Sequence, residues 1–161
     1  MAQSQITLSK YALWLGFAGL LPQVFACALA ITNSSWGIYI PVSGFAYAAL
    51  IFSFLGGVWW GNALSSQKLH LWIFVAAVCP SLIAWIAALL IFVDFRWRPY
   101  SNGAIAIGLI ISPLIDQQIG KIISHPKGWM KLRWILSIGL GFLTLIIAAQ
   151  SVHAVSFLGR T

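Results

Sequence analysis

Five apolar runs, each about 20 residues long and separated by short polar breaks, leave this chain few ways to fold. As a helix, a run of that length crosses about 30 Å of hydrocarbon, and in lipid a helix satisfies its backbone hydrogen bonds internally. The runs predict helices at about 11–31, 42–64, 71–93, 103–123 and 132–155. With 61% hydrophobic and 7% charged residues in 161, the chain has too little polar surface for a water-soluble globule. The expectation is a single all-α domain, residues 1–161: an integral membrane bundle of five transmembrane helices. The first run also imitates a signal peptide, with Ala28-Leu29-Ala30 like a cleavage site, but it is long for one and is kept as a span.

The net charge of +7 does not point to nucleic acid, because its lysines and arginines stand singly between apolar segments instead of forming a patch. They are read as topology signals. An odd number of spans places the termini on opposite sides. Lys10, Lys68, Lys121, Lys127, Lys131 and Arg133 then share one face, and Arg96, Arg98 and Arg160 the other. The positive-inside rule makes the amino terminus cytoplasmic and the carboxy terminus periplasmic, in a bacterial inner membrane. Trp36 and Tyr39 in the first loop, and Arg96 and Arg98 in the polar connection at 94–102, are expected at headgroup level.

Small and polar residues inside the runs carry the rest. Gly57 and Gly61 in FLGGVWWGN (54–62), and Ala84 and Ala88, have the four-residue spacing that lets helices pack closely. Pro22, Pro80 and Pro113 predict kinks. Asp116 in the fourth run is costly, about 2.5–3.5 kcal/mol on insertion scales unless it faces protein or water. Two readings of it stand: a buried site residue, or an interfacial residue beyond a helix that ends near Ile115. The inward direction of the second and fourth runs brings Trp59, Trp60 and Asn62 to the depth of Asp116 and Gln117, where Arg133 opens the fifth. The candidate polar or ligand-binding cluster is Gln23, Trp60, Asn62, Trp85, Asp116, Gln117 and Arg133, with Asp116 paired to Arg133 or Lys121.

The succession LGFAGLLPQVF (15–25), FSFLGGVWWGNAL (52–64) and PSLIAWIAALL (80–90), with an aspartate in the fourth span, resembles the small membrane proteins grouped as domain of unknown function 3429, which include the mitochondrial transmembrane protein 69. The likeness runs from the first span to the fourth and is weaker in the fifth. It implies a compact bundle of four or five helices and no reaction. A His-Trp pair is common in that group where this chain has Trp59-Trp60, so Trp60 and Gly61 match the pattern and Trp59 departs from it.

Catalytic arrangements fail in turn. Asp94 and Asp116 are the only acids and fall on opposite faces, so there is no carboxylate pair. His70, His125 and His153 stand apart, and Cys27 and Cys79 belong to no ligand cluster, so neither a metal nor a cofactor is expected. Intramembrane serines such as Ser53, Ser81, Ser112 and Ser137 normally bond to their own helix. The leading reading is an accessory subunit or assembly factor of a membrane complex, with a protein partner or a second copy of itself. The alternative is a binder or carrier of a hydrophobic ligand, a quinone, tetrapyrrole or sterol-like molecule, between helices. Its size and nine tryptophans resemble the tryptophan-rich sensory proteins, without their Trp-Pro-Pro pattern. A small transporter comes third, from the three prolines.

Overall fold

A computed structural model describes residues 9–32, 39–66, 70–123 and 125–158, with side chains through 152. Trp36, Lys68, Arg160 and the side chain of His153 lie outside the described residues. The elements are α1 (Lys10–Ala18), α2 (Leu21–Ile31), α3 (Tyr39–Ser65), α4 (Leu71–Val93), a 3-10 turn (Phe95–Trp97), α5 (Arg98–Gly120) and α6 (Trp129–Leu158). Five segments are long and apolar enough to cross a membrane, α1 and α2 counting together as the first. Among the described residues there is no strand.

Two spans, α3 and α5, begin three and five residues earlier than hydropathy alone predicts, and each has a proline near its start. Pro99 sits in the first turn of α5, where its missing N–H costs nothing and its fixed φ favours the helix. The second half of the polar connection expected at 94–102 is a helix start, and α5 gains Arg98 to Asn102. Pro41 plays the same part near the start of α3. Two of the three mid-span prolines do not break their helices: α4 runs through Pro80 and α5 through Pro113. The break falls in the first span, at Gly19 and Leu20, just ahead of Pro22 in the first turn of α2. There the Gly19 carbonyl, freed from helical pairing, accepts a hydrogen bond from the Tyr47 hydroxyl of α3.

The core gathers Phe45, Phe52, Leu55 and Trp59 of α3, Ile73 and Ala84 of α4, and Ile105, Leu109 and Ile119 of α5. The most extensive contact is α5 on α6. There a Cβ on Gly141 would lie 3.0 Å from the Ala106 carbonyl oxygen and 2.5 Å from Ile110, so only glycine fits. Gly56 does the same for α3 and α4: a Cβ there would stand 2.2 Å from the Ala77 carbonyl oxygen, beside Pro80. Ala84 turns into the core and Ala88 packs partly against it.

The expected seam at Gly57 and Gly61 is not an internal one. Nothing lies within 4 Å of a Cβ at either position. The helical register explains the correction. Gly56 shares its face with Phe52, Trp59 and Ala63, which point inward, while Gly57 and Gly61 share theirs with the exposed Leu50, Phe54, Trp60 and Leu64.

Candidate functional site

Helix α5 does not end near Ile115 but continues past Asp116 to Gly120, and the aspartate is buried within the bundle, 1% exposed. A carboxylate there needs a cation and donors to remain ionised in low dielectric. It has both. Arg133, from the first turns of α6, donates from Nε to Asp116 Oδ2 at 2.8 Å and places Nη2 2.7 Å from the same oxygen. Trp59, from α3, donates its indole N–H to the other oxygen, Oδ1, at 2.8 Å. Trp59 is 1% exposed and Arg133 8%. Three helices are thus fastened at one buried point, both carboxylate oxygens are occupied, and the charge pair is closed within the chain. Lys121, the other partner considered for Asp116, instead donates to Gln118 Oε1 at 2.9 Å on the surface.

Other members of the expected cluster lie elsewhere. Trp60 points away from Asp116, 44% exposed, its ring edge-on to Phe74 at 4.9 Å. The indole facing Asp116 is that of Trp59. Gln117 is exposed, because one step along α5 rotates a side chain by about 100°. Asn62 is half-buried, and Trp85 lies 61% exposed on the outer face of α4.

Gln23 is fully buried but joins a different point, donating from Nε2 to Thr144 Oγ1 at 2.9 Å. Thr144 passes its own proton to the Leu140 carbonyl at 2.8 Å. Since Thr144 follows Arg133 by eleven residues on one helix, Gln23 sits about 16 Å further along the bundle axis. The expected cluster is therefore two clusters. Between them Ser112 donates to the Leu109 carbonyl at 2.8 Å, leaving Ser137 as donor in the 3.2 Å contact between the two hydroxyls. This pair cross-links α5 and α6 and has no base beside it.

Sequence reasoning missed Arg98. Expected at the lipid phosphates with Arg96, it is 1% exposed, its guanidinium 4.6 Å above the Phe95 ring. Its Nε and Nη1 have no hydrogen-bond partner among the described residues. Arg96 is the solvated one, with Asp94 3.9 Å away. Ser101 ties this end of α5 to α4 through the Ala87 carbonyl at 2.9 Å.

Three open spaces border this frame. The first, about 220 Å³, lies between α1, α3, α5 and α6; its walls are Leu15, Leu20, Phe54, Leu109 and Leu140, with Arg133 and Ser137 as its polar members. A second, about 360 Å³, is an entirely apolar recess beside Trp60, Phe74 and Cys79. The third, about 460 Å³, lies past the ends of α5 and α6 among Lys121, His125 and Lys131. Among the described residues no group of His, Cys, Asp and Glu could hold a metal ion.

Comparison with known proteins agrees with this architecture. The chain is 33% identical over 135 residues to Transmembrane protein 69 of Xenopus tropicalis, an alignment covering 80% of this chain and 50% of that protein. It thus spans about half the length of that curated relative. No solved structure matches. The profile of the family described as Protein of unknown function (DUF3429) matches residues 8–149. The chain belongs to that family.

Proposed function

We propose that this protein is an accessory subunit or assembly factor of a larger membrane complex, and that it docks a partner helix against α3. The observation that carries this reading is the outward face of α3. Gly57 and Gly61, four residues apart, have none of the described residues within 4 Å of a Cβ, and Leu50, Phe54, Trp60 and Leu64 flank them in the open. Glycines at this spacing let two helix backbones approach, and lipid-facing positions gain nothing from glycine, which weakens a helix by about 1 kcal/mol relative to alanine. The closed Asp116–Arg133–Trp59 contact fits a structural role, as it leaves no reactive group. The orientation proposed is that of the charge count: amino terminus and Lys121 to Arg133 on the cytoplasmic side of a bacterial inner membrane.

Gentle detergent extraction and mass measurement test the reading. The expected result is a stoichiometric partner retained by the wild type and released by G57I/G61I, which should itself fold, since both added side chains enter open space. A wild-type protein that emerges as a clean monomer or homodimer would overturn it.

A second reading is favoured by the 220 Å³ space under α1, whose walls are apolar except for Arg133 and Ser137. Such a lining suits the head of a quinone or a similar hydrophobic ligand. Its cover is lightly held: none of the residues of α1 is buried. Quenching of tryptophan fluorescence by ubiquinone or protoporphyrin, reduced by the space-filling Leu136→Phe, is the expected signature. An unchanged signal with both ligands removes this reading.

A further inference from the structure

We infer that the recess formed by the end of α5 and the start of α6 binds the phosphate of an anionic phospholipid. Its walls are Gln117, Gly120, Lys121, His125, Gly128 and Lys131, around a space of about 460 Å³. Both helices are membrane-spanning segments, ending at Gly120 and beginning at Trp129, so the recess lies at the level where lipid headgroups sit.

Charge accounting is the strongest argument. The whole chain has only two acidic side chains. Asp116 is closed by Arg133 and Trp59 in the bundle. Asp94 lies beside Arg96 beyond the opposite end of α5, a helix of 23 residues and so about 34 Å long. No carboxylate side chain of this protein is left to neutralise Lys121, Lys127 and Lys131, which crowd into eleven residues. Lys121 commits one of its three ammonium protons to Gln118, and that bond holds its head at the rim of the recess.

The local backbone adds to the field. Gly128 takes φ +90°, a left-handed conformation that lets the chain reverse tightly from α5 into α6. The turn brings the positive end of a 30-residue helix beside the lysines. His125 and Trp129 lie in parallel planes, centroids 6.2 Å apart, and His125 Nε2 and Trp129 Nε1 have no hydrogen-bond partner among the described residues. A phosphate diester, with several acceptor oxygens and one full charge, matches two lysines and a helix start.

The test uses the full chain, depleted of lipid in gentle detergent and titrated separately with phosphatidylglycerol, phosphatidylcholine and inorganic phosphate. Adducts are read by native mass spectrometry. The expected result is one phosphatidylglycerol retained at least ten-fold more strongly than phosphatidylcholine, lost in K121Q/K131Q, and kept both in K121R/K131R and in Arg96→Gln at the other end. All four lysine replacements are at exposed positions and leave the core untouched. Equal retention of the two lipids, or phosphatidylglycerol retention unchanged in K121Q/K131Q, would overturn the assignment. Displacement of the lipid by millimolar inorganic phosphate would overturn the lipid as the source and leave a free-phosphate site.

Discussion

A buried carboxylate needs a cation and a donor in place of the water it has lost, and Asp116 has one of each. Removing a single partner of such a buried pair strands the other charge at a cost of about 3–5 kcal/mol. Asp116→Asn and Arg133→Met should each destabilise the bundle by about that amount, while the double variant loses much less than the sum. Denaturant unfolding in detergent micelles measures the cycle, and additive losses would show that the pair is not coupled. Trp59→Phe keeps one aromatic ring but removes the N–H and leaves a cavity, and is expected to cost at least about 1.5–3 kcal/mol, the range for hydrogen bonds to charged groups. Trp60→Phe, edge-on to Phe74 on the outside, should cost little in the same assay. Arg98 behaves oppositely to Arg133. With no carboxylate and two unpartnered nitrogens, its replacement by methionine strands nothing, and Arg98→Met is expected to be neutral or stabilising. The Asp116–Arg133 pairing was legible in the sequence as one of two options, because span direction alone brings both residues to one depth. The choice between adjacent tryptophans was not. Neighbours on a helix point about 100° apart, and in a membrane both faces of a helix are apolar, so hydropathy does not mark which one turns inward.

The same ambiguity acts on whole helices. FLGGVWWGN carries glycines on two faces, and the familiar four-residue spacing drew the reading to Gly57 and Gly61, whereas the tight internal contact is at Gly56. Gly56→Ala drives a methyl group to 2.2 Å from the Ala77 carbonyl, against helix backbone that has no free rotamer to move. The expected loss is about 1–3 kcal/mol or more, the range for overpacking. Gly57→Ala meets nothing, and alanine is the better helix former, so the isolated chain should become no less stable. Thermal unfolding of the two variants side by side checks the contrast, and equal losses would place the α3–α4 contact elsewhere. Span number and approximate position were legible because about 20 apolar residues in succession have few other uses. Proline did not mark where a span breaks, since Pro80 and Pro113 lie within continuous helices. The span that breaks does so at Gly19, where a tyrosine 28 residues away caps the exposed carbonyl. That partner lies on another helix, and no local pattern announces it.

At the scale of the molecule, the bundle has two unlike ends. One carries Lys10, Lys121, Lys127 and Lys131 with no acid among them, and the α1 start reaches it because Gly16 packs against Leu132 and Leu136 of α6. The other has the exposed Arg96 beside Asp94 and an arginine withdrawn into the protein. Burial of Arg98 sharpens the asymmetry beyond the sequence count, because a guanidinium held over Phe95 is less free to meet headgroups. An anionic cytoplasmic surface attracts roughly 1 kcal/mol per nearby lysine or arginine, so the proposed orientation, lysine-rich end inside, makes a prediction about labelling. With Cys27 and Cys79 replaced by alanine, a membrane-impermeant thiol reagent applied to intact cells should label Arg96→Cys. It should reach Lys127→Cys only after the membrane is opened. Both positions are exposed, so a difference between them reports sidedness and not burial. Labelling of Lys127→Cys in intact cells would invert the bundle, and with it the leaflet in which an anionic lipid meets Lys121 and Lys131.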